Sequence, residues 1–254
     1  MSAFRLAPVE SDPFEHVVAE DWLEADLYAA LRTSFPHCPP ASGPTGHTLF
    51  PGDRDYDRLI EGNPAWRAFV ARFQGQAFVD FALAQFRPVF EKEATVDLSR
   101  AGYVSYIESR ADKESERLAR IEHAPDRLWV RVDIMQGRTG YARAPHLDHR
   151  RRAATLLLYF SDAAEDGMAG GELVLHGADG ARRVVTPRHN LMAMFPCHNR
   201  SLHSVAPILA QSRPRNFVQV TLSSSTDLWP PVRKRAVERL RALSRRTAGA
   251  LSPR

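Results

Sequence analysis

The sequence predicts a mainly β domain, an antiparallel barrel or double-sheet jelly roll, with helices of its N-terminal third packed on one side. Between about residues 96 and 224, short apolar runs alternate with turn residues, a spacing typical of these folds. Over residues 63–86, apolar and aromatic residues instead recur at helical spacing. The hydrophobic content of 44% is enough for a sizeable core, so we expect residues 1–254 to form a single domain.

Residues 1–95 are expected to supply helical support for the sheet. Apolar residues at helical spacing predict a helix from about Asp21 to Ser34, ended by Pro36. Residues 36–63, rich in Pro, Gly, Asp and His, predict a long irregular segment, for which a surface excursion is favoured over a functional or mobile loop such as a lid. Asn63-Pro64 is a good helix start, and the aromatic stripe that follows is typical of a core rather than a cofactor site.

Residues 96–224 are expected to form the jelly-roll core. The sequence predicts a strand within Val96 to Tyr106, and then a charged segment at 108–126 that forms either a short helix or a mobile loop. A basic amphipathic helix is predicted at about 230–247. Seven further predicted strands lie near residues 127–135, 153–160, 172–176, 182–186, 190–195, 203–208 and 216–223.

Composition excludes several classes of function. The formal net charge is +4, and no run of basic residues sits among aromatics, so nucleic-acid binding is not expected. Cys38 and Cys197 are the only cysteines and form no CxxC pair, which fits a reducing cytoplasm. The N-terminus has no apolar run of signal-peptide type, and no apolar stretch approaches 18 residues, so we expect no membrane span.

Two residues of one short segment predict a metal site. His146 and Asp148 are two positions apart, so on extended chain their side chains point to the same face. His203 stands near the end of another predicted strand. Two imidazoles and one carboxylate on one face of an ion leave the opposite positions open, which is the ligand set of a non-haem Fe(II) oxygenase.

Six motifs in order carry a resemblance to a known family. An HxD tripeptide alone is weak evidence, but the ordered set is a strong signal. Residues 127–223 resemble the Fe(II)- and 2-oxoglutarate-dependent dioxygenases, in particular their prolyl 4-hydroxylase-like branch. The motifs are GYARAPHLD at 140–148, TLLLYFSD at 155–162, GGEL at 170–173, LMAMFP at 191–196, HSVAP at 203–207 and RPR at 213–215.

The resemblance implies a fold, cofactors and a reaction. The fold is a double-stranded β-helix (jelly roll), and the cofactors are Fe(II), 2-oxoglutarate as cosubstrate and O2, with ascorbate as a further reductant. His146, Asp148 and His203 are then the metal ligands and the catalytic residues. The reaction is hydroxylation of an unactivated C–H bond in a small molecule or a peptidyl side chain, with release of succinate and CO2. Related halogenases carry a small residue where Asp148 stands, so halogenation is not expected.

The resemblance also implies a cation for the far carboxylate of 2-oxoglutarate, and two arginines compete for this role. Arg213 is ten positions after His203, the spacing seen in many relatives. Arg215 opens a predicted strand on which it shares a face with Gln219 and Thr221, and this placement in a polar interior favours Arg215. Tyr159 is the expected hydroxyl partner of the same carboxylate, and Tyr141 is a further candidate for contact with cosubstrate or substrate.

The residues of the predicted metal site also allow other functions. The rival from another class is a non-catalytic, cupin-like jelly roll that binds a metal or a sugar, and a zinc hydrolase on the same ligands is a more remote alternative. Alternation turns His149 away from the metal face. Arg150, Arg151 and Arg152 form a predicted solvated loop near the mouth of the site, where they could hold an anionic substrate. The substrate and the oligomeric state are left open.

Overall fold

The computed structural model describes residues 4–39, 46–109, 112 and 123–232. In these residues, five helices lie in the N-terminal part of the chain, and the strands form two sheets. In chain order the elements are β1 (Val17–Ala19), α1 (Ala25–Thr33), β2 (Gly46–Leu49), α2 (Arg54–Gly62), α3 (Pro64–Phe73), α4 (Gln76–Gln85), α5 (Arg87–Glu93), β3 (Gly102–Tyr103), β4 (Arg127–Gly137), β5 (Arg143–His146), β6 (Arg152–Tyr159), β7 (Leu173–His176), β8 (Arg182–Val185), β9 (Met192–Pro196), β10 (His203–Val205) and β11 (Arg215–Ser224).

The two sheets form the expected jelly roll. The larger sheet has the strand order β1-β9-β6-β11-β4-β2, with β3 paired in parallel to β4, and the smaller sheet has the order β5-β10-β7-β8. All other strand pairs are antiparallel. Because strands distant in sequence lie side by side, residues from the 140s and from around 200 and 215 meet in one interior. The predicted fold class is therefore confirmed.

The helices cover the outer face of the larger sheet. The Asn63 side chain accepts hydrogen bonds from the backbone N–H groups of Ala65 and Trp66 at 3.0 and 3.3 Å, so the predicted start of α3 is observed. Trp66 and Phe69 are fully buried and pack in one cluster with strand residues that include Val218. The aromatic stripe is thus core, and it anchors the helices to the sheet.

A second apolar cluster lies between the sheets, and several of its members line the cavity there. It includes Tyr159 and Phe217 from the larger sheet and Leu173 and Leu175 from the smaller one. Side chains alternate along β11, so Val218 faces the helices while Arg215 and Gln219 face the interior cavity. The strand face predicted for Arg215 is the face observed.

Several predicted boundaries are wrong. Residues 36–63 are not one irregular segment, because β2 pairs with the edge of β4 and α2 forms from a run with only Tyr56 buried. The first helix begins at Ala25 rather than Asp21, whose φ of +48° lies in the left-handed region and cannot continue a helix. Of the strand expected within Val96 to Tyr106, only Gly102–Tyr103 is observed.

Two further predictions concern chain segments that the structure describes only in part. Most of the charged segment at 108–126, and the predicted C-terminal helix beyond residue 232, lie outside the described residues. Across the part of the chain that is described, no helix has the length and apolar character needed to cross a membrane. Cys38 and Cys197 are both buried free thiols.

Candidate metal site and its cavity

The three predicted ligands converge on one point between the sheets. His203 on β10 pairs directly across the smaller sheet with His146 at the end of β5, and their ring centroids are 4.3 Å apart. Asp148 follows two positions after His146. One ligand atom from each of the three residues lies within 4.8 Å of the other two, so together they could hold a metal ion.

Backbone carbonyls orient both imidazoles. The Nδ1 atom of His146 lies 2.8 Å from the Ala144 carbonyl oxygen, and the Nδ1 atom of His203 lies 2.9 Å from that of Ser201. A carbonyl only accepts hydrogen bonds, so each Nδ1 carries the proton and each Nε2 keeps its lone pair. Burial lowers the pKa of His203, although Asp148 acts in the opposite direction, and the neutral ring is the form that binds metal.

Three neighbours hold the Asp148 carboxylate. Arg152 donates to Oδ1 at 2.6 Å, and the Thr155 hydroxyl donates to Oδ2 at 2.7 Å. The Cys197 thiol lies 3.5 Å from the same Oδ2. Burial acts to raise the pKa of Asp148, but Arg152, His203 and Thr155 outweigh it and hold that pKa well below its usual range. The carboxylate is therefore ionised and fixed in orientation.

A cavity of about 440 Å³ extends from these ligands into the barrel, and Arg215 lies in its wall. Arg215 is fully buried, and its Nη2 donates to the Tyr159 hydroxyl at 3.2 Å. Its Nε and Nη1 groups have no hydrogen-bond partner among the described residues. Buried guanidinium N–H groups left open in this way fit a bound carboxylate, because a carboxylate accepts charge-assisted hydrogen bonds from an arginine.

The two arginines that are candidates for binding the far carboxylate of 2-oxoglutarate have different surroundings in the structure. The Arg213 side chain is 63% exposed and pairs with Asp166 at 3.6 Å, outside the cavity. Arg215 alone of the two lines the cavity wall. Tyr159 is buried beside Arg215, and burial raises the pKa of its hydroxyl despite the nearby guanidinium. Tyr141 is also buried and lines the same cavity.

The arginine run after the metal motif does not form one solvated loop. Arg150 and Arg151 point to Asp227, at 3.0 and 3.8 Å, whereas Arg152 turns inward to Asp148. His149 is exposed and is not among the three clustered ligands, as alternation predicted.

Sequence reasoning missed the roles of Arg152 and Thr155, which donate hydrogen bonds to the Asp148 carboxylate. Thr155 is the one polar residue in the apolar run of β6 and shares a strand face with Tyr159. This break in the apolar pattern could have identified Thr155 as a site residue. No local pattern distinguishes Arg152 from Arg150 and Arg151.

The fold and the clustered side chains are similar to those of the Fe(II)- and 2-oxoglutarate-dependent oxygenases. Residues 131–220 match the family model described as the 2OG-Fe(II) oxygenase superfamily. This match spans the clustered ligands and both candidate arginines, and it confirms the resemblance found in the motifs. Iron, 2-oxoglutarate and O2 are the cofactors that this family uses. No curated protein gives a significant match to the chain.

Solved structures confirm the likeness in fold. A Pseudomonas putida prolyl-4-hydroxylase is 18% identical with a TM-score of 0.50, over 82% of this chain and 92% of that one. A prolyl 4-hydroxylase from Phytophthora capsici is 16% identical with a TM-score of 0.53, over 91% of this chain and 68% of that one. A 2OG-Fe(II) oxygenase family oxidoreductase from Burkholderia pseudomallei is 14% identical with a TM-score of 0.52, over 84% and 86%.

Proposed function

We propose that this chain is an Fe(II)- and 2-oxoglutarate-dependent dioxygenase that hydroxylates an unactivated C–H bond of a small-molecule or peptidyl substrate. One observation carries the proposal: the same cavity holds a His-Asp-His cluster and, in its wall, a buried arginine with two open N–H groups. A metal site alone does not require the arginine, and an arginine alone does not require the metal ligands. Their combination fits a dicarboxylate cosubstrate that spans from one to the other.

Each group of the proposed site has a physical role. His146, His203 and Asp148 would hold the iron, through the Nε2 atoms of the two imidazoles and an oxygen of the carboxylate. Arg215 and Tyr159 bind the far carboxylate of 2-oxoglutarate. When bound, the iron and its cosubstrate supply the oxidising chemistry, with succinate and CO2 as products.

The remaining residues orient these groups and limit the access of water. Arg152 and Thr155 fix the Asp148 carboxylate, so that it meets the metal without rearrangement. Phe195 packs against the His203 ring at a centroid distance of 4.7 Å and covers its apolar face. Tyr141 and Leu157 line the cavity wall, which reduces water around the reacting centre.

Anaerobic addition of Fe(II) and 2-oxoglutarate tests this proposal. We expect a weak metal-to-ligand charge-transfer band in the visible, lost in His146→Ala. His149→Ala is the matched control and keeps the band, because the exposed His149 lies outside the ligand cluster. A wild-type protein without the band indicates the rival function, a metal- or sugar-binding jelly roll without turnover. A screen of metabolites and peptides for substrate-dependent succinate formation then identifies the substrate.

A further inference from the structure

A second polar cluster lies on the interior side of β4. Arg131, Asp133 and Glu108 are 1%, 2% and 3% exposed. The Arg131 Nε donates to the two oxygens of Asp133 at 2.9 and 3.2 Å, and its Nη1 donates to Glu108. The Trp129 indole N–H donates to the other oxygen of Glu108 at 2.9 Å. The guanidinium is thus held rigidly from two sides.

Two polar atoms of this region lack partners. Thr221 on β11 stands directly opposite Arg131 on β4 and is fully buried. Within the described part of the chain, neither the Arg131 Nη2 nor the Thr221 Oγ1 has a hydrogen-bond partner. Buried polar groups are nearly always paired in native proteins, because an unpaired one loses its hydration without compensation. Two open groups on residues that pair directly across neighbouring strands therefore indicate a place for a ligand atom.

The strand register connects this pair to the metal site. Thr221 pairs on its other side with Thr155 of β6, and the Thr155 hydroxyl donates to Asp148. Neighbouring strands lie about 4.8 Å apart, so Thr221 is one strand and Arg131 two strands from the residue that holds the metal ligand. A ligand atom at Arg131 and Thr221 therefore lies within about 10 Å of Thr155. An organic molecule of modest size spans that distance.

The net charge of the polar cluster determines which kind of ligand group can bind next to it. The cluster contains one guanidinium and two carboxylates, a net charge of −1 when all three are ionised, and this disfavours a substrate anion. The open atoms are a guanidinium N–H, which only donates, and a hydroxyl, which donates or accepts. An uncharged oxygen atom can pair with both open atoms, since it accepts a hydrogen bond from the Arg131 Nη2 and forms a second hydrogen bond with the Thr221 hydroxyl.

Resting on the function proposed above, we propose that Arg131 and Thr221 bind an uncharged oxygen of the organic substrate, a hydroxyl or an amide carbonyl. The oxygen accepts from the Arg131 Nη2 and exchanges a hydrogen bond with the Thr221 hydroxyl. Arg131 and Glu108 also line a cavity of about 450 Å³ bordered by Tyr56, Tyr103 and Tyr106, so a substrate that contacts Arg131 from this cavity extends past Thr221 and Thr155 toward the metal ligands. This subsite orients the substrate and makes Thr221 a specificity-determining residue.

Thr221→Val tests the subsite because it keeps the side-chain shape and removes only the hydroxyl. The probes are propionamide, propionate and propylammonium, added to protein loaded with Mn(II) and 2-oxoglutarate, with paramagnetic relaxation of the probe methyl protons as readout. We expect propionamide to bind more tightly than either charged probe, and Thr221→Val to weaken it about fivefold, the effect of one hydrogen bond. Thr226→Val, beyond the end of β11, is the matched control and leaves the affinity unchanged.

The stability of the unliganded protein gives an independent readout. Because Thr221→Val removes a buried unpaired hydroxyl, we expect a higher melting temperature, together with weaker propionamide binding. A lower melting temperature means that the hydroxyl serves the fold and overturns the inference, as does unchanged propionamide affinity, tighter binding of a charged probe or binding of none.

The charge-transfer band separates this test from the test of the overall function. A wild-type protein without the band contradicts the proposed function. An intact band with unaltered probe binding in Thr221→Val contradicts only the subsite.

Discussion

Replacing Arg215 by methionine is predicted to abolish tight binding of 2-oxoglutarate while leaving the fold intact. In the unliganded protein the Arg215 guanidinium is fully buried, yet its Nε and Nη1 groups find no partner among the described residues. Methionine fills much of the same space without a buried charge. The variant should therefore unfold at the same temperature as the wild type or a higher one, and it should still bind the metal.

The size of the binding defect follows from the two hydrogen bonds of a bidentate guanidinium–carboxylate pair. A hydrogen bond to a charged group contributes about 1.5–3 kcal/mol, so two of them contribute about 3–6 kcal/mol. The dissociation constant of 2-oxoglutarate should then rise about 10²- to 10⁴-fold. Arg215→Lys keeps the charge but not the fork, so it should lie between the wild type and Arg215→Met.

The assay is an anaerobic titration of Fe(II)-loaded protein with 2-oxoglutarate, followed through the visible charge-transfer band. Arg213→Met is the matched control, because Arg213 is 63% exposed and pairs with Asp166 outside the cavity. This control should change the dissociation constant less than twofold, within the range of exposed ion pairs. A large defect in Arg213→Met, with little change in Arg215→Met, refutes the assignment of the anchor.

Three other substitutions test other parts of the structure. Tyr159→Phe should weaken 2-oxoglutarate binding about fivefold in the same titration, since one hydrogen bond contributes about 1 kcal/mol, and an unchanged constant contradicts a direct contact. Phe69→Ala should lower the free energy of unfolding by about 3–5 kcal/mol in urea, because the ring is fully buried; a loss below about 1 kcal/mol contradicts the packing. Burial lowers the pKa of His176 from 6.5 to about 4, so the folded protein should lose roughly 2 kcal/mol as the pH falls from 6.5 to 4. His176→Gln should flatten that part of the stability profile, and a profile unchanged by the substitution excludes this origin.

The sign of the His176 effect follows from its surroundings. Its Nε2 lies 2.7 Å from the Ser204 hydroxyl in a buried site, and Arg182 and His203 further oppose a positive charge there. The unfolded chain therefore takes up a proton between pH 6.5 and 4, while the folded protein resists it. Stability is complete above pH 6.5 and decreases as the pH falls.

The core of the fold was predictable because its signals are local. Strands β4, β6 and β11 coincide with short apolar runs, and their alternation assigned Arg215 and Gln219 to the interior face. The start of α3 followed from Asn63-Pro64. Strand β2 and helix α2 carry no such signal. β2 is defined by its pairing with β4, and α2 buries one aromatic residue, so neither shows a continuous apolar pattern.

Some residues of the candidate site were likewise predictable from local signals, and others were not. His146 and Asp148 share a face because they are two residues apart, and the ordered motifs indicated that His203 joins them. In the charged network behind them, Arg131 and Asp133 also share a strand face because they are two residues apart, whereas Glu108 meets Arg131 only when the chain before β4 folds over that strand.

Residue spacing was enough to predict the strand-rich core, the helical support and the three side chains that cluster in the cavity, because spacing sets which side chains share a face. Only the tertiary structure decided which arginine lines the cavity and which of three consecutive arginines reaches Asp148. Only the tertiary structure also showed that Arg131 and Thr221 are left open. These outcomes depend on burial and on contacts between strands far apart in the chain, which no local pattern records.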